Sequence, residues 1–403
     1  MSYQISNNQF YVQCVVLDTT NGSSYDISDC VEDVLVRKQF LEENFPLYVI
    51  DFRTTEEMRD IMRDHEIEIS LRISMFSPGI EQSPEESDSS FIPESEKIFD
   101  EIIRIYDKPF STTTSKKEDE GDDNVSQGES APFIYYRVCG IPKSLIEKNE
   151  GTFNLVFKNC DLASALVYMI SSVDKSSNVF IEKILNTKDY QDLLVPPMSL
   201  IPAIKFLDEN YHHYYKNTAA IFYDDTGLYI YDPISTTNEG GNIIECKILD
   251  SDATENLESQ SLPQVDENGN IKVRYFSVPP FVDQKYISEH ILGSNTEFYY
   301  YDENFHLNTR NKTDETYKKY RYIWKYIADR SDDDSNLSSA LSINLSGVNP
   351  KLITPITRLK LESTKYKDIS GEYGPAVVQY GFMSNDHKHY TCSIAISTFK
   401  KSK

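Results

Sequence analysis

Two spacings of apolar residues alternate along this chain. From Glu66 to Phe76 (EIEISLRISMF) every second position is apolar, so Ile67, Ile69, Leu71, Ile73 and Met75 share one face. A period of two predicts a half-buried strand, and this is the cleanest one in the sequence. Strand-like runs also occupy Gln9–Thr19, Val31–Phe40, Pro46–Arg53, Lys97–Tyr106 and Pro132–Cys139, then Lys272–Pro279, Glu297–Tyr301, Lys351–Glu362, Pro375–Met383 and Tyr390–Phe399. Elsewhere the spacing is helical. Thr54-Thr55-Glu56-Glu57 opens a helix through about Asp64, with threonine as cap and carboxylates at the positive helix end. Asn159-Cys160-Asp161 leads a second to about Ser171, carrying Leu162, Leu166 and Met169. Asp314–Arg330 bears an apolar stripe of Tyr317, Tyr320, Ile323, Trp324 and Ile327.

The segment from Tyr190 to Asp232 is the most informative. Val195-Pro196-Pro197 is expected to stop one element, because proline donates no backbone hydrogen bond. Ser199 then caps a helix running to about Tyr215, with Leu200, Ile204 and Leu207 on one face. Ala219–Tyr223 and Leu228–Tyr231 flank a turn at Asp225-Thr226-Gly227, which reads as a β-hairpin. Around these elements lie polar stretches: 77–96, 111–130, 235–269 with a short strand at Ile243–Ile248, and 331–341. The pattern predicts an α+β chain. Its first domain spans 1–147, a small antiparallel β-barrel or sandwich with a flanking helix and a long acidic insertion at 77–130. An α+β middle domain spans 148–271. A last domain, 272–403, again combines antiparallel strands with one helix and holds an acidic loop at 331–341.

A chain of 403 residues suffices for about two to four domains. With 39% hydrophobic residues and mean hydropathy −0.48, a soluble protein is expected. No apolar run approaches the roughly 18 residues of a membrane helix, so no membrane anchor is expected. The N-terminus lacks the charged and apolar regions of a signal peptide, which implies synthesis in a cytoplasm. Cys14, Cys30, Cys139, Cys160, Cys246 and Cys392 are scattered without a CxxC pair, as free and mostly buried thiols would be. A net charge of −24 is the opposite of a nonspecific nucleic-acid-binding footprint; it reads first as a solvated acidic surface. The 28 tyrosines, clustered at 211–215, 299–301 and 317–326, suit either an interface or a tyrosine-rich core.

Catalytic chemistry finds little support. His212 and His213 are adjacent on a predicted helix and so face different directions. His387-Lys388-His389, with Asp386 beside them, reads as a solvated turn before it reads as a metal site, since zinc wants three or four ligands. No GxSxG, HExxH or phosphate-binding loop occurs. Paired carboxylates are common in so acidic a chain, and Asp224-Asp225 is best read as hairpin turn chemistry. No catalytic, cofactor-binding or metal residue is assigned, no cofactor is expected, and the chain does not read as an enzyme. The Asn-x-Ser/Thr triplets at Asn21, Asn124, Asn311, Asn336 and Asn344 are incidental on this reading.

One resemblance adds to this. The helix pattern PP-x-S-L-I-x-A-I-x-F-L-D-x-x-Y, from Pro196 to Tyr211, followed by the hairpin F-Y-D-D-x-x-x-Y-I from Phe222 to Ile230, resembles the middle region of baseplate hub proteins of contractile-tailed bacteriophages. It covers about a tenth of the chain. It implies a structural component of the virion's tail baseplate, with two tail-tube-like β-domains separated by the α+β domain. A homotrimer would then present six barrels and match a sixfold tube to a threefold spike. The partners so implied are a tail tube protein, a central spike protein and other baseplate proteins, with DNA only as passing cargo. On that premise the acidic charge would keep ejected DNA from adhering to the lumen. A tail-associated cell-wall hydrolase and a receptor- or glycan-binding tail protein are the alternatives.

Overall fold

The computed structural model describes residues 3–5, 8–41, 43–76, 96–107, 134–173, 178–215, 219–233, 241–249, 262–275, 279, 281–283, 298–301, 307–310, 339–363, 365–367, 369–385 and 389–401. Among these, β-structure dominates. The N-terminal third supplies β1 (Tyr3–Ile5), β2 (Gln9–Asp18), β3 (Ser24–Asp26), β4 (Val31–Gln39), β5 (Leu47–Thr54), helix α1 (Glu56–Asp64), β6 (Ile67–Phe76), β7 (Glu96–Asp107) and β8 (Ile134–Pro142). The middle supplies α2 (Lys143–Asn149), β9 (Phe153–Cys160), α3 (Leu162–Val173), β10 (Val179–Ile181), β11 (Tyr190–Met198), α4 (Leu200–Asn210), β12 (Ala220–Asp224) and β13 (Gly227–Tyr231). The remainder holds β14 (Ile243–Ile248), β15 (Gln264–Asp266), β16 (Ile271–Tyr275), β17 (Phe281–Asp283), β18 (Phe298–Tyr301), β19 (Leu307–Arg310), β20 (Ser339–Ser346), β21 (Arg358–Ser363), β22 (Gly371–Ser384) and β23 (Tyr390–Lys400).

Antiparallel pairings close on themselves in the order β22–β4–β5–β8–β7–β6–β2–β23–β22, the last gap being shut where Phe10 meets Tyr390. Strands of the N-terminal third thus need the C-terminal hairpin to complete a barrel, because β2 and β4 would otherwise expose unpaired edges. The same hairpin serves a second set of strands. The start of β22 pairs with β21, which runs parallel to β14; β14 in turn runs parallel to β16. On the other side β23 pairs with β20, and β20 with β17.

Alternation along each strand fills the barrel. Phe10, Val12, Cys14 and Val16 of β2 face Ile69, Leu71 and Ile73 of β6, with Val34 and Val36 of β4 across from them, all in one buried cluster. Rings meet across the interior: Phe10–Phe382 at 5.3 Å, Tyr48–Phe99 at 5.9 Å, Phe99–Phe382 at 6.1 Å and Phe99–Tyr380 at 6.5 Å between centroids. The barrel is a packed core and not a pore. A second core lies among α3, α4, β11 and the β12–β13 hairpin, built on Leu162, Leu166, Met169, Leu200, Ile204, Leu207, Ile221 and Ile230. The faces of α3 and α4 read from the sequence are the faces that are buried.

Several expectations need correction. The α4 helix ends at Asn210, short of Tyr215, because His212 and His213 take left-handed φ values of 64° and 59°. Pro196-Pro197 does not stop an element: β11 runs through them, with a register irregularity between Val195 and Met198 in a strand at the edge of a two-stranded sheet, where proline is tolerated. The expected strand at Lys351–Glu362 begins only at Arg358, after a 3-10 turn at Pro350–Leu352 and Pro355. Ser339–Leu341, expected in an acidic loop, starts strand β20, whose Leu341, Ile343 and Leu345 are buried at alternate positions. Strand β9 was not anticipated. The helix expected at 314–330 lies outside the described residues, as do 331–338, all of the 77–130 insertion except β7, and Asp386, His387 and Lys388.

Candidate functional site: a hairpin seated against the barrel

The β12–β13 hairpin turns in two residues, Asp225 and Thr226. Asp224 makes the turn. Its Oδ1 accepts hydrogen bonds from Thr226 N at 2.8 Å, Thr226 Oγ1 at 2.5 Å and Gly227 N at 3.3 Å. Gly227 sits at φ 146°, and a Cβ there would lie 2.4 Å from the Asn178 carbonyl oxygen. Glycine is therefore required by both conformation and space.

The second oxygen of Asp224 is left for another module. Lys38 Nζ lies 2.6 Å from Asp224 Oδ2 and 3.4 Å from Asp225 Oδ1. Lys38 follows Val34 and Val36 on the inward face of β4, so its stem runs inside the barrel wall. The side chains of Lys38 and Asp224 are 1% and 0% exposed, and that of Asp225 10%. The ammonium also stands 5.9 Å from the Phe99 centroid and 5.5 Å from that of Tyr380. Burial alone would push Lys38 down, but Asp224 and Asp225 outweigh it and hold the ammonium well above its usual range. Asp225 is pushed up by burial, against the pull of Lys38 and with Asp224 adding to the rise.

Asn44, in the loop after β4, covers the hairpin's edge. It accepts from Tyr223 N at 2.8 Å through its carbonyl oxygen and donates from Nδ2 to the Ile221 carbonyl oxygen at 2.7 Å. Its Oδ1 accepts from Lys205 Nζ of α4 at 2.7 Å. Phe40 and Phe222 meet edge to face at 4.9 Å. Helix and hairpin are bound to each other by Asp208, which accepts from Tyr214 N at 2.6 Å and Ala219 N at 3.2 Å. Ser199 flanks α4 as expected, yet its side chain makes no capping bond; Asn149 Oδ1 of α2 accepts from Ile201 N at 2.9 Å instead. At the far end of the hairpin Asp232 N donates to Glu182 Oε2 at 2.7 Å. Lys401 lies near by, pushed down to about 8 by burial, with Glu182 opposing and Arg358 reinforcing that shift.

Chemically this is a clamp. Its carboxylates are sequestered by hydrogen bonds and an ammonium. His213 Nδ1 stands 3.3 Å from Asp208 Oδ2, so the histidine pair is split between a structural turn and solvent. Among the described residues no group of three or more His, Cys, Asp or Glu side chains converges as a metal site. None of the six cysteines forms a disulfide. Burial pushes Cys246 up to about 12 and Cys14 and Cys392 higher still, which keeps them as inert thiols. No described helix is long and apolar enough to cross a membrane. Of the tyrosines, Tyr48, Tyr214, Tyr223, Tyr231, Tyr373, Tyr380 and Tyr390 are core residues. The sequence reading identified the turn but missed Lys38, Asn44 and Asn149. A signal for Lys38 existed: it occupies an inward position in the alternation Val34, Val36, Lys38, Phe40.

Residues 1–394 match the family model described as Bacteriophage PBS1 gene 109 protein. No curated protein matches the chain. Among solved structures, a tail protein from Neisseria meningitidis MC58 is similar at 9% identity and a TM-score of 0.44, covering 97% of this chain and 96% of that one. The 43 kDa tail protein of prophage MuSo2 from Shewanella oneidensis is similar at 10% identity and 0.43, covering 96% and 97%. The E. coli c3393 protein, described as a type VI secretion component structurally similar to T4 tail proteins gp27 and gp5, is similar at 10% identity and 0.38, covering 93% and 74%. Scores this low register likeness and no more.

Proposed function

The chain belongs to the family of the bacteriophage PBS1 gene 109 protein, and from that membership we propose that it is a non-enzymatic component of a phage tail, the hub ring of the baseplate. The observation that carries the proposal is the seating of the middle module. The helix and hairpin that bear the hub-like motif form one hydrogen-bonded unit, and its tip is locked against the barrel by Lys38. Such a joint fixes the β-barrel and the middle module in one orientation, which a ring that transmits load requires.

In this reading the strands around the closed barrel and those continuing from β21 and β20 are the two tube-like regions, with the shared β22–β23 hairpin between them. The proposed divisions are 1–147, 148–271 and 272–403, with β22–β23 of the last completing the first barrel and β14–β15 of the middle stretch pairing into the second region. Three copies form the ring, with tube protein on one face and spike on the other. Because the barrel is filled by side chains, the DNA path runs between copies, and the acidic surface keeps DNA from adhering to it.

Native mass measurement and negative-stain imaging, with and without the spike protein, test this. A threefold ring with a central opening is expected. A chain that stays monomeric beside its spike overturns the assignment.

A further inference from the structure

The two-stranded sheet formed by β9 and β11 has unequal edges. On β11, Leu194 N donates to Tyr211 Oη at 2.7 Å, and Tyr211 Oη donates to the Leu194 carbonyl oxygen at 3.4 Å. A tyrosine hydroxyl thus occupies the edge, and Pro196 and Pro197 remove two further donors. These bonds also fix the parity of the sheet. Leu194 is directly opposite Val156, and Asp192 opposite Lys158. Since the backbone groups of Leu194 point away from β9, those of Val156 and Lys158 point away from β11. Among the described residues no strand pairs with that side of β9.

The surroundings of this free edge are apolar on both faces. Val156 and Leu194 are 55% and 52% exposed on the outward face. On the other face Phe157 meets the exposed Tyr168 of α3 edge to face at 5.5 Å, beside exposed Val167. An open edge with apolar side chains above and below is the arrangement that accepts an added strand. The charge at its end is acidic. Lys158 is neutralised by Asp192, while Asp161 and Asp189 bear on the Cys160 end of the strand, where their charges add to the rise that burial gives the thiol.

We propose that the free edge of β9 is a strand-addition site for another protein, taking an extended segment with apolar residues at alternate positions and a basic residue beside Asp161 and Asp189. The basic residue and the chain's net charge of −24 favour a cationic partner over a second copy. The site does not depend on the hub reading.

The test uses the full chain and a synthetic peptide, Lys-Val-Thr-Val-Thr-Val-Arg, with its alternately N-methylated form as control. Hydrogen exchange at Val156 and Lys158 is expected to slow about tenfold on peptide binding and to be unchanged by the methylated form. Val156→Pro removes the outward donor at a position where an edge strand tolerates proline, and is expected to weaken binding at least about tenfold. Val156→Lys serves if the proline variant misfolds. Absence of protection, or binding that survives both methylation and substitution, overturns the proposal in favour of charge attraction alone. Concentration-dependent self-association lost in Val156→Pro overturns it in favour of a second copy.

Discussion

Lys38 is a single side chain whose removal exposes the logic of the clamp. Lys38→Met leaves Asp224 and Asp225 buried without their ammonium, and breaking one side of a buried pair is strongly destabilising, by about 3–5 kcal/mol. Urea unfolding should show that loss, and Asp224→Asn added to Lys38→Met should recover part of it. A second residue makes stability depend on pH. Glu43, half-buried and with Oε2 shielded from solvent and unpartnered, is pushed up to about 7 by that burial, with Arg37 opposing. A carboxyl raised in the folded state binds its proton more tightly there than in the unfolded chain. Its contribution is therefore complete below the unfolded value of 4.5 and is lost as pH rises through about 7. The shift corresponds to about 3 kcal/mol at most, and Asp225, also raised, acts in the same sense. Unfolding free energies at pH 5 and pH 8 should show lower stability at the higher pH, and Glu43→Gln should flatten that difference.

Elements were legible where the signal was local. The alternation in Ile67–Phe76 and the helical stripes of α3 and α4 appear in the structure on the predicted faces, since a backbone period is fixed by a few consecutive residues. Thr55 caps α1 as read, accepting from Met58 N. The errors fall where a distant group overrides the local one. The prolines of β11 suggested a stop, but its unpaired edge asks for no donors there. The α4 helix is cut short by Asp208, which draws Tyr214 N and Ala219 N into a turn. Two expected outcomes follow at this scale. Gly227→Ala forces a Cβ to within 2.4 Å of the Asn178 carbonyl oxygen, so the hairpin should lose about 1–3 kcal/mol, read as a lowered thermal midpoint. Tyr211→Phe removes the hydroxyl from the β11 edge; Leu194 N should exchange faster, with a stability loss of about 1 kcal/mol.

At the scale of the molecule, the barrel depends on strands from opposite ends of the chain. A fragment of residues 1–147 lacks β22 and β23, so β2 loses its pairing with β23 and β4 its pairing with β22, and the barrel stays open. It should fail to give the dispersed amide spectrum of a folded domain, and adding residues 371–401 should restore it. The hub assignment belongs to this scale too, and the native mass decides it. By itself the sequence determined most strands, the buried faces of α3 and α4, the Asp224–Gly227 turn and six cysteines outside any disulfide, because each follows from the spacing and chemistry of near neighbours. Only the tertiary structure decided that the barrel closes through its last hairpin, that Lys38 faces Asp224, and that among the described residues β9 keeps an open edge while Tyr211 covers that of β11. The physical reason is that strand partners and buried counter-charges are chosen by residues far apart in sequence. The local pattern shows that an edge or a charge needs a partner, and the fold alone brings that partner to it.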